Sequence, residues 1–89
     1  MVMITDLRET IEGMTSNDYR ERMKAEYQQT KLRYEKLKDL NNRIEAAQKC
    51  MNPEPPHDCP AGLLVEQQRV MGIYLHILEL RAIIEDIEL

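Results

Sequence analysis

The chain has 89 residues, no Trp or Phe, only three Gly, and a net charge of −4. That length allows one small domain with little core, and the negative balance argues against a general nucleic-acid coat. Its abundant Glu, Leu, Lys, Arg, Gln and Ala are helix formers, so an all-α fold is expected, and 43% apolar residues are too many for a disordered chain.

Residues 5–12 begin the reading. Ile4, Leu7, Ile11 and Met14 recur at helical spacing, Thr5 or Asp6 is placed to cap, and Gly13 to terminate, so a short amphipathic helix is expected. Residues 15–18, Thr-Ser-Asn-Asp, are a dense group of capping residues. A helix is expected to start at 17 and to run to 50, because no Gly or Pro interrupts it. On its wheel Tyr19, Met23, Thr30, Leu37, Asn41, Ile44 and Gln48 share one side, with Arg22, Glu26 and Arg33 at the edge. Two explanations of those charges stay open. Arg22 and Glu26 have the spacing of an ion pair within a structural network. Alternatively, Arg22 and Arg33 meet an anionic ligand while Glu26 holds one of them in place. Asn41 and Gln48 on this seam can also set its register.

Prolines at 53, 55 and 56 end the helix and make 51–59 a loop. Cys50 and Cys59 flank it and are expected to be free thiols, since His57-x-Cys59 with Cys50 matches no standard zinc spacing. No cofactor or metal is expected. Asp58 can cap a last helix over 60–88, with Pro60 in its first turn. Leu64, Met71, Leu75, Leu78, Ala82 and Leu89 form a stripe suited to the preceding helix. Leu63, Val70, Ile73, Ile77 and Ile84 form a second, which needs another protomer or another protein. Tyr74 and Arg81 lie between the stripes, suited either to stacking on and pairing with a nucleotide or to an interface Tyr beside a surface Arg. The domain is therefore read as one unit over 1–89, a long antiparallel helical hairpin that oligomerises through its C-terminal helix.

Charge is uneven. Residues 17–49 hold nine of the twelve basic residues and six acidic ones, while 60–89 hold two basic and five acidic. Either the two helices attract, or the first carries an anion-binding face. Its basic residues are scattered around the helix, which counts against nucleic acid. No segment has the length of a membrane span, and no secretory leader pattern opens the chain, so a cytoplasmic protein is expected. No nucleophile–base pair or Gly-rich phosphate loop is visible, so no enzyme is expected.

Two motifs carry a resemblance. They are Tyr19-x2-Arg22-Met23-x2-Glu26, continuing to Arg33 and Leu37, and Leu63-Leu64-x3-Gln68-x2-Met71-x2-Tyr74-x3-Leu78-x2-Arg81. In this order around one loop they resemble a helical-hairpin family of tailed phages that includes anti-CBASS and anti-Thoeris proteins acting as nucleotide sponges. The likeness covers residues 19–37 and 63–82. It implies a symmetric homo-oligomer, from dimer to hexamer, in the bacterial host cytoplasm. It also implies capture of a cyclic oligonucleotide or cyclic ADP-ribose-type signal between protomers, which deprives an immune effector of its ligand. By position, Tyr19 would stack on a base, Arg22 would approach phosphate, Glu26 would orient an arginine, and Arg81 would lie at an oligomer contact or phosphate. The rival reading is a non-catalytic interaction module that inhibits or scaffolds a host protein through the second stripe.

Overall fold

The computed structural model describes residues 6–89, which form helices and turns with no strand among them. A 3-10 turn over Leu7–Thr10 leads into α1, Ile11–Met14, followed by α2, Tyr19–Cys50, and α3, Ala61–Ile84. Asp6 starts the first turn, its carboxylate accepting from the Arg8 backbone N–H at 2.8 Å. Asp18 starts α2 in the same way, accepting from the Arg20 N–H at 3.0 Å. Ser16 supports that cap by accepting from the Asp18 N–H.

The short N-terminal segment is placed opposite to expectation. Leu7, Ile11 and Met14 face outward, while Thr10 is buried. Ile4 and Thr5 lie outside the described residues. Gly13 sits inside α1 rather than ending it. A Cβ there would lie 2.7 Å from the Ala25 Cβ, so glycine is what lets α1 approach α2. A face of small residues packs here because α2 offers Ala25 rather than a greasy groove.

The two long helices run antiparallel. Tyr19 reaches Glu85, Tyr27 reaches Glu79, and Asn41 reaches Leu64 and Gln68. The buried positions reveal a seven-residue repeat on both sides. On α2 the seam runs Met23, Tyr27, Thr30, Tyr34, Leu37, Asn41, Ile44; on α3 it runs Leu64, Gln68, Met71, Leu75, Leu78, Ala82. Met23, Tyr27, Leu75, Leu78 and Ala82 make the core cluster, with Tyr34, Ile87 and Leu89 packed against it. Tyr27, absent from the expected stripe, is 4% exposed. It is tolerated there because its hydroxyl donates to the Glu79 carboxylate at 2.6 Å, and this bond, after burial, pushes the phenol up to about 12.

Asn41 is the polar layer of the seam. Its Nδ2 donates to the Leu64 carbonyl at 3.1 Å and to Gln68 Oε1 at 2.9 Å, while its buried Oδ1 has no partner. Both long helices end without glycine. Met51 and Asp86 take positive φ, 57° and 56°. The Asn52 and Ile87 N–H groups return to the Ala47 and Ala82 carbonyls at 2.9 and 2.8 Å. This closure stops α3 at Ile84 rather than 88 and folds Ile87 back onto the core. In the loop, His57 meets the Cys59 carbonyl at 2.6 Å and Glu54 at 3.2 Å. Cys50 and Cys59 are exposed free thiols.

Met51 is 93% exposed, so its side chain contributes no packing while its Cβ strains a left-handed turn. Met51→Gly should raise stability by about 1 kcal/mol, read as a melting temperature about 4–8 °C higher; an unchanged midpoint would show that the turn is unstrained. Asn41→Leu should also raise the melting temperature, because it removes the orphaned acceptor from the seam. The same variant should blur the register, seen as doubled or broadened Tyr27 ring signals in NMR spectra. A single sharp set would mean that Asn41 does not select the alignment.

Candidate functional site

The antiparallel seam brings the start of α2 beside the end of α3, and a polar cluster forms there around Glu85. The Tyr19 hydroxyl donates to Glu85 Oε1 at 3.1 Å, and Arg81 Nε donates to Glu85 Oε2 at 3.0 Å. Arg20 Nη1 donates to the Glu85 backbone carbonyl at 3.1 Å, and the Arg20 guanidinium lies 5.7 Å from the Tyr19 ring centre. The positive φ at Asp86 helps to produce this meeting, because it turns the chain just after α3 and leaves the Glu85 carbonyl outside the helical ladder. Arg81, then Tyr19, hold the Glu85 carboxyl below its ordinary range.

Two turns further into the seam, Glu26 and Tyr74 meet. A hydrogen bond to the Glu26 carboxylate, with some burial, raises the Tyr74 phenol, and the nearby Arg81 charge opposes that rise. Glu26 and Tyr74 therefore lie along the same seam as the Glu85 cluster, within reach of the Arg81 charge. Arg22 and Glu26 do not form the ion pair that their spacing allows. Arg22 Nη1 instead donates to the Ser16 carbonyl at 2.8 Å, since the turn before α2 brings an open acceptor within reach and Glu26 engages Tyr74. Arg33 is exposed, about 10 Å further along α2 than Glu26, and makes no hydrogen bond or ion pair among the described residues.

Sequence reasoning missed Glu85 and Arg20. Glu85 had a local signal, its spacing of four from Arg81, but its link to Tyr19 spans 66 positions and exists only through the antiparallel pairing. Tyr19 and Tyr74 remain 45% and 38% exposed, leaving parts of both rings open to a stacking partner. The two half-open aromatic rings lie along the seam with two guanidinium groups at Glu85, Arg20 and Arg81, each with donors left over, and Arg22 held at Ser16 on the same end of α2. It borders the exposed residues Ile73, Ile77, Leu80 and Ile84 of α3.

Among the described residues no group of three His, Cys, Asp or Glu side chains is placed to hold a metal ion. No helix is long and apolar enough to cross a membrane. Fold and site together define a small all-helical protein with a polar cluster where its two long helices meet. The family model described as Sequestin matches residues 17–84, and the chain belongs to that family, whose name denotes sequestration rather than chemical conversion. No curated protein and no solved structure matches the chain.

The Glu85 linkage makes a pH prediction. Its carboxyl is held low in the folded state, so the stabilisation it provides is present above the ordinary glutamate pKa of 4.5 and lost as pH falls through its lower folded value. The Arg81 Nε–H signal, followed by NMR, should stay protected at pH 4.5 and fade only below it. Fading that starts well above pH 4.5 would show that the bond to Glu85 does not hold in solution.

Proposed function

We propose that this chain is a phage-encoded sponge that binds a cyclic nucleotide immune signal and withholds it from a bacterial anti-phage effector of the CBASS or Thoeris kind. Family membership supports the sequestering role. The single observation that carries the ligand class is the cluster of Tyr19, Arg20 and Arg81 around Glu85, with half-open Tyr74 further along the seam, on the border of an uncovered apolar face. A cyclic oligonucleotide or cyclic ADP-ribose-type ligand offers flat bases and a few phosphates, and the cluster offers half-open rings and guanidinium forks. One stack on an aromatic ring is worth about 1–3 kcal/mol, and phosphate contacts to arginine add charge-assisted hydrogen bonds. Tight binding without turnover needs no more than this on a preformed surface.

In this reading Tyr19 and Tyr74 stack on bases, and Arg22, Arg33 and Arg81 approach phosphate. Glu26 positions Tyr74, rather than an arginine as the family likeness suggests, because the phenol is its partner. The hairpin works as a homo-oligomer, between dimer and hexamer, in the cytoplasm of the bacterial host. The exposed Leu63, Val70, Ile73, Ile77 and Ile84 then become the contact between protomers, and the ligand sits where that contact meets the cluster. The same stripe also suits the second reading, a non-catalytic module that inhibits or scaffolds a host protein.

A thermal-shift panel of cyclic di- and trinucleotides and cyclic ADP-ribose isomers separates the two. A sequestered signal should raise the melting temperature in proportion to the logarithm of its concentration. Tyr19→Ala and Arg81→Ala should each weaken the best ligand by at least about tenfold, close to 1.4 kcal/mol, in calorimetric titration. Light scattering at micromolar protein should show a dimer or larger, dissociated by Ile77→Asp through an unpaired charge in an apolar contact. A monomer that no panel member stabilises sinks the sponge and leaves the interaction module.

A further inference from the structure

A second concavity lies further along the seam and is built from a single protomer. It is a groove of about 210 Å³ between α2 and α3. Buried Leu75 forms its apolar base, and Tyr27, tied to Glu79, closes one end. Tyr34 forms the other end, where Gly72 gives it room: a Cβ at Gly72 would lie 3.3 Å from the Tyr34 ring. Glycine is disfavoured inside a helix, so its presence in α3 keeps a flat ring against bare backbone at some expense of helix stability. Lys31 and His76 occupy the same level on opposite helices, in the middle of the groove.

The polar groups around this groove are largely uncommitted. The Tyr34 hydroxyl, the Glu35 carboxylate and the His76 ring have no hydrogen-bond or ion-pair partner among the described residues. Lys31 has only the Tyr27 ring, 5.7 Å away. Convergent unpaired polar groups over an apolar, aromatic base are the ordinary makings of a small-molecule site. The groove is smaller than the roughly 300 Å³ of a drug-sized pocket, so it takes one flat ring system, with an attached sugar and phosphate lying at its rim.

We propose that this groove binds a planar heterocycle that carries a ring N–H and a phosphate, as a guanine nucleotide does. The ring lies against Tyr34 over Gly72, and Glu35 accepts from its N–H. Lys31 and the His76 ring, through a ring N–H, hold the phosphate from the two sides. Glu79 lines the groove as well, with its Oε2 held by the Tyr27 hydroxyl. The site is complete within one protomer and stands apart from the Glu85 cluster, so it does not depend on the sponge reading or on any oligomer.

Calorimetric titration of the full chain with guanosine 5′-monophosphate, guanosine and inorganic phosphate tests it. The monophosphate should bind, and guanosine and phosphate alone should each bind at least about tenfold more weakly. Lys31→Ala and Glu35→Gln should each cost about tenfold or more; both side chains lie outside the buried core, so folding is not at stake. Gly72→Leu should fill the groove and abolish binding with the helical circular dichroism intact. Tyr19→Ala and Arg81→Ala should leave the affinity unchanged. No binding of the monophosphate at about 1 mM overturns the proposal. So does full affinity in Lys31→Ala, or a loss in Tyr19→Ala, which would move the ligand to the Glu85 cluster.

Discussion

Asn41 decides which turn of α3 meets which turn of α2. Two seven-residue repeats packed antiparallel have several alignments of similar apolar burial, and burial is blind to which layer faces which. A buried amide is not blind. In the observed alignment its Nδ2 finds the Leu64 carbonyl and Gln68 together. Shifted by one repeat, it would sit against Met71 and Leu75, whose side chains offer nothing in place of the Gln68 amide oxygen. The unpartnered Oδ1 shows that the layer is not optimised for stability alone.

Everything at the far end of the pair follows from that choice. Tyr27 is acceptable in the core only because Glu79 arrives at its hydroxyl, and Tyr19 becomes oriented only because Glu85 arrives beside it. A slip of one turn would leave a buried phenol without its acceptor and scatter the cluster of Tyr19, Arg20 and Arg81. Gly72 opposite Tyr34 belongs to the same alignment. Register therefore links packing to the candidate site: one polar layer near the loop sets the geometry of aromatic and guanidinium groups about four to six turns away.

The core between the two long helices is narrow, as expected for so short a chain. Apolar side chains remain outside on two faces, Leu7, Ile11 and Met14 at the N-terminal segment and the Ile and Val row of α3. The two differ in kind. The first belongs to a short segment attached to α2 through Thr10 and Gly13. The second runs the length of a rigid helix and passes directly beside the Glu85 cluster. That continuity is why the proposed assembly uses the α3 row rather than the N-terminal patch.

Helical content, the break at the prolines and the α3 stripe through Leu75, Leu78 and Ala82 were determined by the sequence, because they depend on local propensity and on spacing within one helix. The α2 seam was only half legible. Met23, Asn41 and Ile44 stood out, but Tyr27 and Tyr34 complete the repeat and carry polar atoms, and what makes a tyrosine acceptable inside is an acceptor on another helix. The outward turn of Leu7, Ile11 and Met14 was hidden for a related reason: Gly13 looked like a helix end until Ala25 of α2 came against it. Within the site, Tyr19, Glu26, Tyr74 and Arg81 could be singled out by their positions on helix faces. Their partners could not, since Tyr19 and Glu85 meet across 66 residues and only tertiary structure decides which carboxylate a given hydroxyl or guanidinium finds.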